Sequence, residues 1–388
     1  MTPGLPFDFD RPIARAGGEF HDSTKWNKYA GRDVIPLWVA DMDFAAPPAV
    51  LAALHRRIDH GVFGYSQPWP SLVEAVVAHL EREYLWRIEP EWIVWLPGLV
   101  TGLHVACQAV GADGDAVFTA TPIYPPFLSA PAHSRRKPVT APLARDEEGW
   151  IWDWAATDAV LRTAAARLFL LCHPHNPVGR AWREDELWQV LALAEKYDLV
   201  VCSDEIHCDL ILEPGRRHQP FATLSPAAAR RSITLMAPSK TFNVPGLGCA
   251  FAVIPDARLR RAFRTAMHGI VPHVNTLGLV ACEAALREGA AWRQELLGYL
   301  RGNARRCETF VQAQTGLSMA PVEATYLAWI DARGMGVENP QRFFEAAGVG
   351  LSDGADFGAA GFMRLNFACP RALLDEALAR IAAALGSL

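Results

Sequence analysis

Six short stretches place reactive side chains where apolar runs end. In APSKTFNVPGLG (237–248), Lys240 stands between Ser239 and Thr241, after the apolar SITLM and ahead of a glycine- and proline-rich turn. A lysine is most often a solvated surface residue. In a charge-poor, apolar setting, desolvation lowers its pKa and makes the amine a nucleophile or base. SDEIH (203–207) closes the run LVVC with two adjacent carboxylates, Asp204 and Glu205, which either cap a helix or loop or meet a cation in a buried place. In HPHNPVGR (173–180), Asn176 precedes a proline and is biased to extended or turn geometry. Its amide could hydrogen-bond a phenolate oxygen, although Asn-Pro-x-Gly is also an ordinary turn. LPGLVTGLHVACQAV (96–110) opens a helix on a glycine-containing turn. There the N–H groups of Leu99, Val100 and Thr101, the Thr101 hydroxyl and the helix dipole would suit an anion. No G-K-[ST] follows, so this is not a nucleotide P-loop. TPIYPPF (121–127) sets Tyr124 between prolines, either for turn packing or for stacking on a flat ring. FMRLNF (362–367) embeds Arg364 in an apolar strand pattern, and such an arginine calls for a carboxylate from the protein or from a substrate.

The elements that must carry these groups are legible as an alternation. AVFTATP (116–122), RLFLLCHP (167–174), LVVCSDEIH (199–207), SITLMAP (232–238) and GCAFAVIP (248–255) are continuous apolar runs, the mark of strands covered on both faces. Helical segments fall between them. One is 184–197, whose Leu187, Val190, Leu191 and Ala194 share a stripe. The expected fold is α/β: a large domain, residues 46–290, with a mostly parallel sheet flanked by helices. From residue 291 to 388 the pattern changes to a long helix, the strand YLAWID, a helix, a short strand, FMRLNF and a final helix, a smaller α+β domain. The proline- and glycine-rich residues 1–45 are expected to be an arm that joins the small domain. Ligands of open α/β sheets bind beyond the carboxyl ends of the strands, where the six stretches lie.

Bulk properties narrow the function. The 388 residues are 51% hydrophobic and 20% charged with net charge −5, enough for a large core and without the basic stripe of a nucleic-acid binder. No apolar stretch approaches a membrane span, and MTPGLPFDFDRP has no signal-peptide core. Eight cysteines are scattered, mostly in apolar runs and without a C-x-x-C pair; they predict buried free thiols and a cytoplasmic setting, with no metal site.

Taken in order, the phosphate-type turn, Tyr124, Asn176-Pro177-Val178-Gly179-Arg180, Asp204, Ser239-Lys240 and Arg364-x-Asn366 resemble the fold-type I pyridoxal 5′-phosphate (PLP) enzymes of the aspartate aminotransferase superfamily. The resemblance spans nearly the whole chain and implies a PLP-dependent transferase-like fold. Longer strings resemble its cystathionine β-lyase branch, the MalY/PatB-type C–S lyases: KW (25–26), LWVADMDF (37–44), FGY (63–65), HNPVGR (175–180), SDEIHCDL, SKTFN, EATYLAWID (323–331) and RLNFACPR (364–371). It implies that Lys240 binds PLP covalently and acts as catalytic base, that Asp204 pairs with the pyridine nitrogen and that Asn176 bonds the phenolic oxygen. Tyr124 would stack on the ring, while Leu99, Val100, Thr101 and Ser239 hold the phosphate together with Tyr65 from a neighbouring subunit. Arg364 would bind the substrate α-carboxylate, beside Ala40, Tyr124 and Asn176. Two positions depart from the pattern: Ala237 replaces a phosphate-binding serine, and His207 stands where a tyrosine near the phenolic oxygen is common. The implied activity is β-elimination on cystathionine or another S-substituted cysteine by a homodimer, giving thiol, pyruvate and ammonia. An aminotransferase shares every step to the carbanion, and a PLP-bound regulatory protein acting on a partner is the alternative of another class.

Overall fold

The computed structural model describes residues 7–15, 22–147 and 149–388; residues 1–6 and 16–21 of the expected arm lie outside the described residues. Its centre is an eight-stranded sheet. The strand order is Ile93–Leu96, Ala250–Val253, Ser232–Met236, Val200–Asp204, Ala166–Cys172, Ala116–Thr121, Lys137–Arg145 and Trp150–Trp152. The run from Ser232–Met236 to Lys137–Arg145 is parallel throughout; Ala250–Val253 and Trp150–Trp152 pair antiparallel with their neighbours. The mostly parallel α/β reading therefore holds, with GCAFAVIP entering in the opposite direction. Side chains on the two faces of these strands feed separate apolar clusters, one around Phe118, Phe169 and Leu187, the other around Leu103, Leu170 and Leu235. Both faces are covered by helices, which is why the strands are apolar at consecutive positions rather than alternating. The expected helical stripe is present: Glu184–Lys196 buries Leu187, Val190, Leu191, Leu193 and Ala194. It starts on three acidic residues that complement the dipole at its N-terminus.

The apolar runs overreach the strands at their carboxyl ends. The sheet stops at Cys172, Asp204 and Met236, and the polar residues that follow leave it for the loops above. Because the strands are parallel, all these loops emerge on one edge.

A second, four-stranded antiparallel sheet runs Ser318–Met319, Leu327–Asp331, Phe362–Asn366 and Ser352–Asp353. The long helix Ala290–Gln312 and the last helix, Arg371–Leu385, pack near it. Near the start of the chain, Ile35–Pro36 pairs in parallel with Val349–Gly350. A Cβ at Gly350 would sit 2.4 Å from the Tyr29 ring, so only glycine lets this early segment lie down there. All eight cysteines are free and buried, as expected. No helix of the described residues is long and apolar enough to cross a membrane.

Candidate active site

The segment Leu37–Phe44 crosses the edge where the strand loops emerge, and it is fastened from three sides. Asn366 Nδ2 donates to the carbonyls of Val39 and Asp41, both at 2.7 Å, and Arg364 Nη2 donates to Trp38 O at 2.9 Å. Asn243, three residues beyond Lys240, accepts from Met42 N at 2.9 Å and donates to Met42 O and Phe44 O at 3.0 and 2.7 Å. Asn243 sits at φ 53°, a left-handed conformation that asparagine tolerates better than most residues. Beneath, Asp43 is buried and takes Lys25 Nζ at 2.6 Å, Trp26 Nε1 at 2.9 Å and Arg15 Nη1 at 3.2 Å. The KW string thus neutralises and saturates a buried carboxylate, which would otherwise cost several kcal/mol.

Above this segment the strand ends converge. Lys240 Nζ donates to Ala40 O at 2.6 Å. Burial pulls the Lys240 pKa down to about 8, helped by the positive charge of Arg364 and opposed by Asp41 and Asp204. At neutral pH about a tenth of such an amine is free base, against well under about one in a thousand for an ordinary lysine. Asp204, at the end of its strand, is buried and among the described residues accepts only Ile206 N, at 3.1 Å. Desolvation pushes its carboxyl up to about 7. The adjacent Glu205 points elsewhere: it accepts from Ser203 Oγ at 2.8 Å and Phe221 N at 3.0 Å and shares a hydrogen with His218 Nε2 at 2.8 Å. Of the two neighbouring carboxylates, Asp204 alone remains for the site.

Arg364 is buried without a carboxylate partner among the described residues. Nη1 donates to Asn176 Oδ1 at 3.0 Å and Nη2 to Trp38 O, Nε has no partner among the described residues, and the guanidinium lies 4.7 Å over the Phe357 ring. Desolvation alone is enough to lower its pKa to about 10. Asn176 spends its oxygen on Arg364, which leaves its NH₂ group to donate. Tyr124 is half-buried, with its phenol held protonated by desolvation and within electrostatic reach of both Arg364 and Asp204. His207 is buried and neutral, its pKa lowered to about 3 by desolvation and by the charges of Lys240 and Arg364.

The helix Leu99–Ala109 begins at Gly98 without a side-chain cap. No acceptor among the described residues takes the amides of Leu99, Val100 and Thr101, so they remain available to an anion. The turn after Lys240 backs onto this terminus: a Cβ at Gly248, φ 55°, would lie 3.3 Å from Pro97 O. Ser239 is half-buried, and Ala237 is buried in the apolar cluster of Leu103 and Leu235. Tyr65 stands apart from all of these, fully exposed in a run where Phe63 and Val62 are also more than half exposed.

The residues singled out in the sequence, Tyr65 excepted, thus gather at one edge. Two participants were not. Tyr326 donates its hydroxyl to Ala40 O at 2.9 Å, and Ser352 Oγ bridges Trp38 O and Arg364 Nη2 at 2.6 and 3.3 Å. EATYLAWID marked the stretch that contains Tyr326, but a tyrosine opening an apolar strand carries no signal beyond core packing.

The unmatched groups describe what would complete them. An anion suits the bare helix terminus, a cationic ring nitrogen suits Asp204, an oxygen acceptor suits the Asn176 amide and a carboxylate suits Arg364. PLP with an amino acid supplies all four.

Comparison with known proteins agrees. The family model for aminotransferase class I and II matches residues 32–381. The chain is 37% identical to cystathionine beta-lyase PatB of Bacillus subtilis, over 97% of this chain and 100% of that protein. Among solved structures, OvoB superposes with a TM-score of 0.95 at 48% identity, covering 98% of this chain and 100% of that one. Cystalysin of Treponema denticola, whose crystal structure contains pyridoxal 5′-phosphate, superposes with a TM-score of 0.93 at 31% identity, covering 98% and 99%.

Proposed function

The chain belongs to the aminotransferase class I and II family, and we propose that it is a PLP-dependent carbon–sulfur β-lyase that releases a thiol, pyruvate and ammonia from S-substituted cysteines, cystathionine among them. One observation carries the reading: a buried arginine and a buried aspartate face one site, each without an ion-pair partner among the described residues, beside a lysine of lowered pKa. Burying two such charges is costly unless a ligand matches them.

PLP, when bound, supplies an electron sink for negative charge at the substrate Cα. Lys240 is the amine that holds it, and Asp204 is the carboxylate that keeps its ring nitrogen protonated. The amides of Leu99, Val100 and Thr101, with the Thr101 and Ser239 hydroxyls, take the phosphate; the Asn176 amide takes the phenolic oxygen, with His207 close by, and Tyr124 covers the ring. Arg364 orients the substrate by its α-carboxylate, its fork aimed by Asn176 Oδ1 and Trp38 O, with Ala40 lining the same place. Lys240, free-base at neutral pH in useful amount, takes the Cα proton. A thiolate is a good leaving group from the neighbouring carbon, so removal of the Cα proton by Lys240 favours elimination when the substrate carries sulfur there.

The reading includes a cytoplasmic homodimer with residues 46–290 as the cofactor-binding domain. Exposed Tyr65, Phe63 and Val62 support a second copy completing the phosphate site, and eight reduced thiols support the compartment. Incubation with cystathionine, cystine and S-alkyl cysteines tests the activity, with pyruvate, ammonia and thiol measured. Equal amounts without added keto acid are expected. A requirement for a keto acid with C–S bonds left intact makes the chain an aminotransferase instead.

A further inference from the structure

One carbonyl of the site receives two donors. Ala40 O accepts from Lys240 Nζ at 2.6 Å and from Tyr326 Oη at 2.9 Å. The carbonyl cannot swing away, because the carbonyls on either side of it, Val39 O and Asp41 O, are both held by Asn366 Nδ2. Tyr326 is fully buried, and its ring stands edge-on to His207 with centroids 5.8 Å apart. It is presented by Thr325 at φ 75°, a conformation a β-branched residue rarely adopts. Two bonds hold that turn: Thr325 N donates to Leu210 O at 2.9 Å, and Thr325 Oγ1 accepts from Leu327 N at 3.2 Å. Strain of this kind persists where the surroundings over-determine it, and it clusters at functional sites. Phenylalanine would fill the same core volume; the hydroxyl is the part that reaches Ala40.

We propose that Tyr326 is a positioning residue for Lys240: its hydroxyl fixes one side of the Ala40 carbonyl and leaves the other as the resting point of the lysine amine whenever that amine is not bonded to the cofactor. The amine is thereby kept at one place in the site rather than sampling the cavity. A shared oxygen is also a poorer acceptor for each donor, so the hydroxyl weakens the hold on the ammonium form and favours the free base. Around Lys240, Asp41 and Asp204 favour the ammonium and Arg364 opposes it, while His207 is neutral and the Tyr124 and Tyr326 phenols stay protonated. Tyr326 adds to the side of Arg364 without adding charge.

This rests on Lys240 being the working amine of the proposed lyase, and the test separates the two. In cofactor-free enzyme, dinitrophenylation of Lys240 is followed across pH by peptide mass spectrometry. In Tyr326→Phe the labelling midpoint moves up by about half a unit, so the rate at pH 7.5 falls roughly threefold. With PLP and an S-substituted cysteine, kcat falls about fivefold while KM stays within about twofold. Site-specific replacement of Tyr326 by a ring-fluorinated tyrosine, a stronger donor of nearly the same shape, moves labelling the other way and covers the case in which the phenylalanine variant fails to fold. Unchanged labelling in both overturns the proposal whatever the activity. A KM that rises in step with the loss of kcat makes Tyr326 a substrate contact and overturns it too. Absence of pyruvate from the unaltered enzyme sinks the lyase reading and leaves the labelling result standing.

Discussion

Asp204 illustrates how a single side chain carries a signature that survives without its ligand. Its carboxyl is raised to about 7 by burial, so ionising it costs the folded protein free energy. The sign follows: the penalty is absent below the unfolded-state value near 4, grows as pH rises from there, and is complete above about 7. Asp204→Asn should therefore make the cofactor-free protein more stable at pH 8, by up to roughly 4 kcal/mol, and change little at pH 4.5. Thermal melts at the two pH values check this, and equal melting of both proteins at pH 8 would show that Asp204 is not a frustrated carboxylate. Once a pyridinium is present the sign reverses, and the same variant should abstract the Cα proton slowly. Arg364 has a different vulnerability, since its value lies in geometry. Arg364→Lys keeps a positive charge but loses the planar fork that bonds Asn176, Trp38 O and a carboxylate together. KM for the amino acid should rise about tenfold or more, with kcat less affected. A KM equal to that of the unaltered enzyme would make Arg364 structural.

Between residue and fold, the Leu37–Phe44 segment is the element on which the site depends. Asn243 ties it to the lysine loop by one accepted and two donated bonds. Asn243→Asp cannot donate and sets a negative charge beside two carbonyls. Urea unfolding should show a loss of about 2–4 kcal/mol together with weaker retention of PLP. A stability within about 0.5 kcal/mol of the parent would mean that the tie carries nothing. This segment also marks the limit of what the sequence discloses. Parallel strands buried on both faces announce themselves as apolar runs, and the polar residue at the end of each run lands at the mouth of the sheet; Asp204, Asn176 and Tyr124 were found that way. The clasp has no such periodicity. Lys25 reads as a surface lysine until a buried Asp43 is seen beneath it, and Asn243 reads as a turn residue until its partners about two hundred positions earlier are known. Tyr326 was hidden for the same reason, since its partner is a backbone carbonyl, which leaves no trace in side-chain identity.

At the scale of the whole molecule, Tyr65 is the residue without a task inside one chain: its ring is bare to solvent in a run that also exposes Val62 and Phe63. An aromatic patch of this kind favours a partner surface. Sedimentation should show a dimer or a multiple of dimers, and Tyr65→Ala should weaken PLP retention more than it weakens assembly. A fully active monomer would remove both the interface and the role of Tyr65. The pairing of Ile35–Pro36 with Val349–Gly350, and of Asn366 with Val39 and Asp41, has a consequence for synthesis. A ribosome delivers Lys240 long before Asn366, so the nascent chain can assemble the strands of the main sheet while the carbonyl that parks the lysine still has no anchor. The site can close only once Arg364 and Asn366 have emerged, and a message cut short before them yields a lobe with its lysine but no place for a substrate.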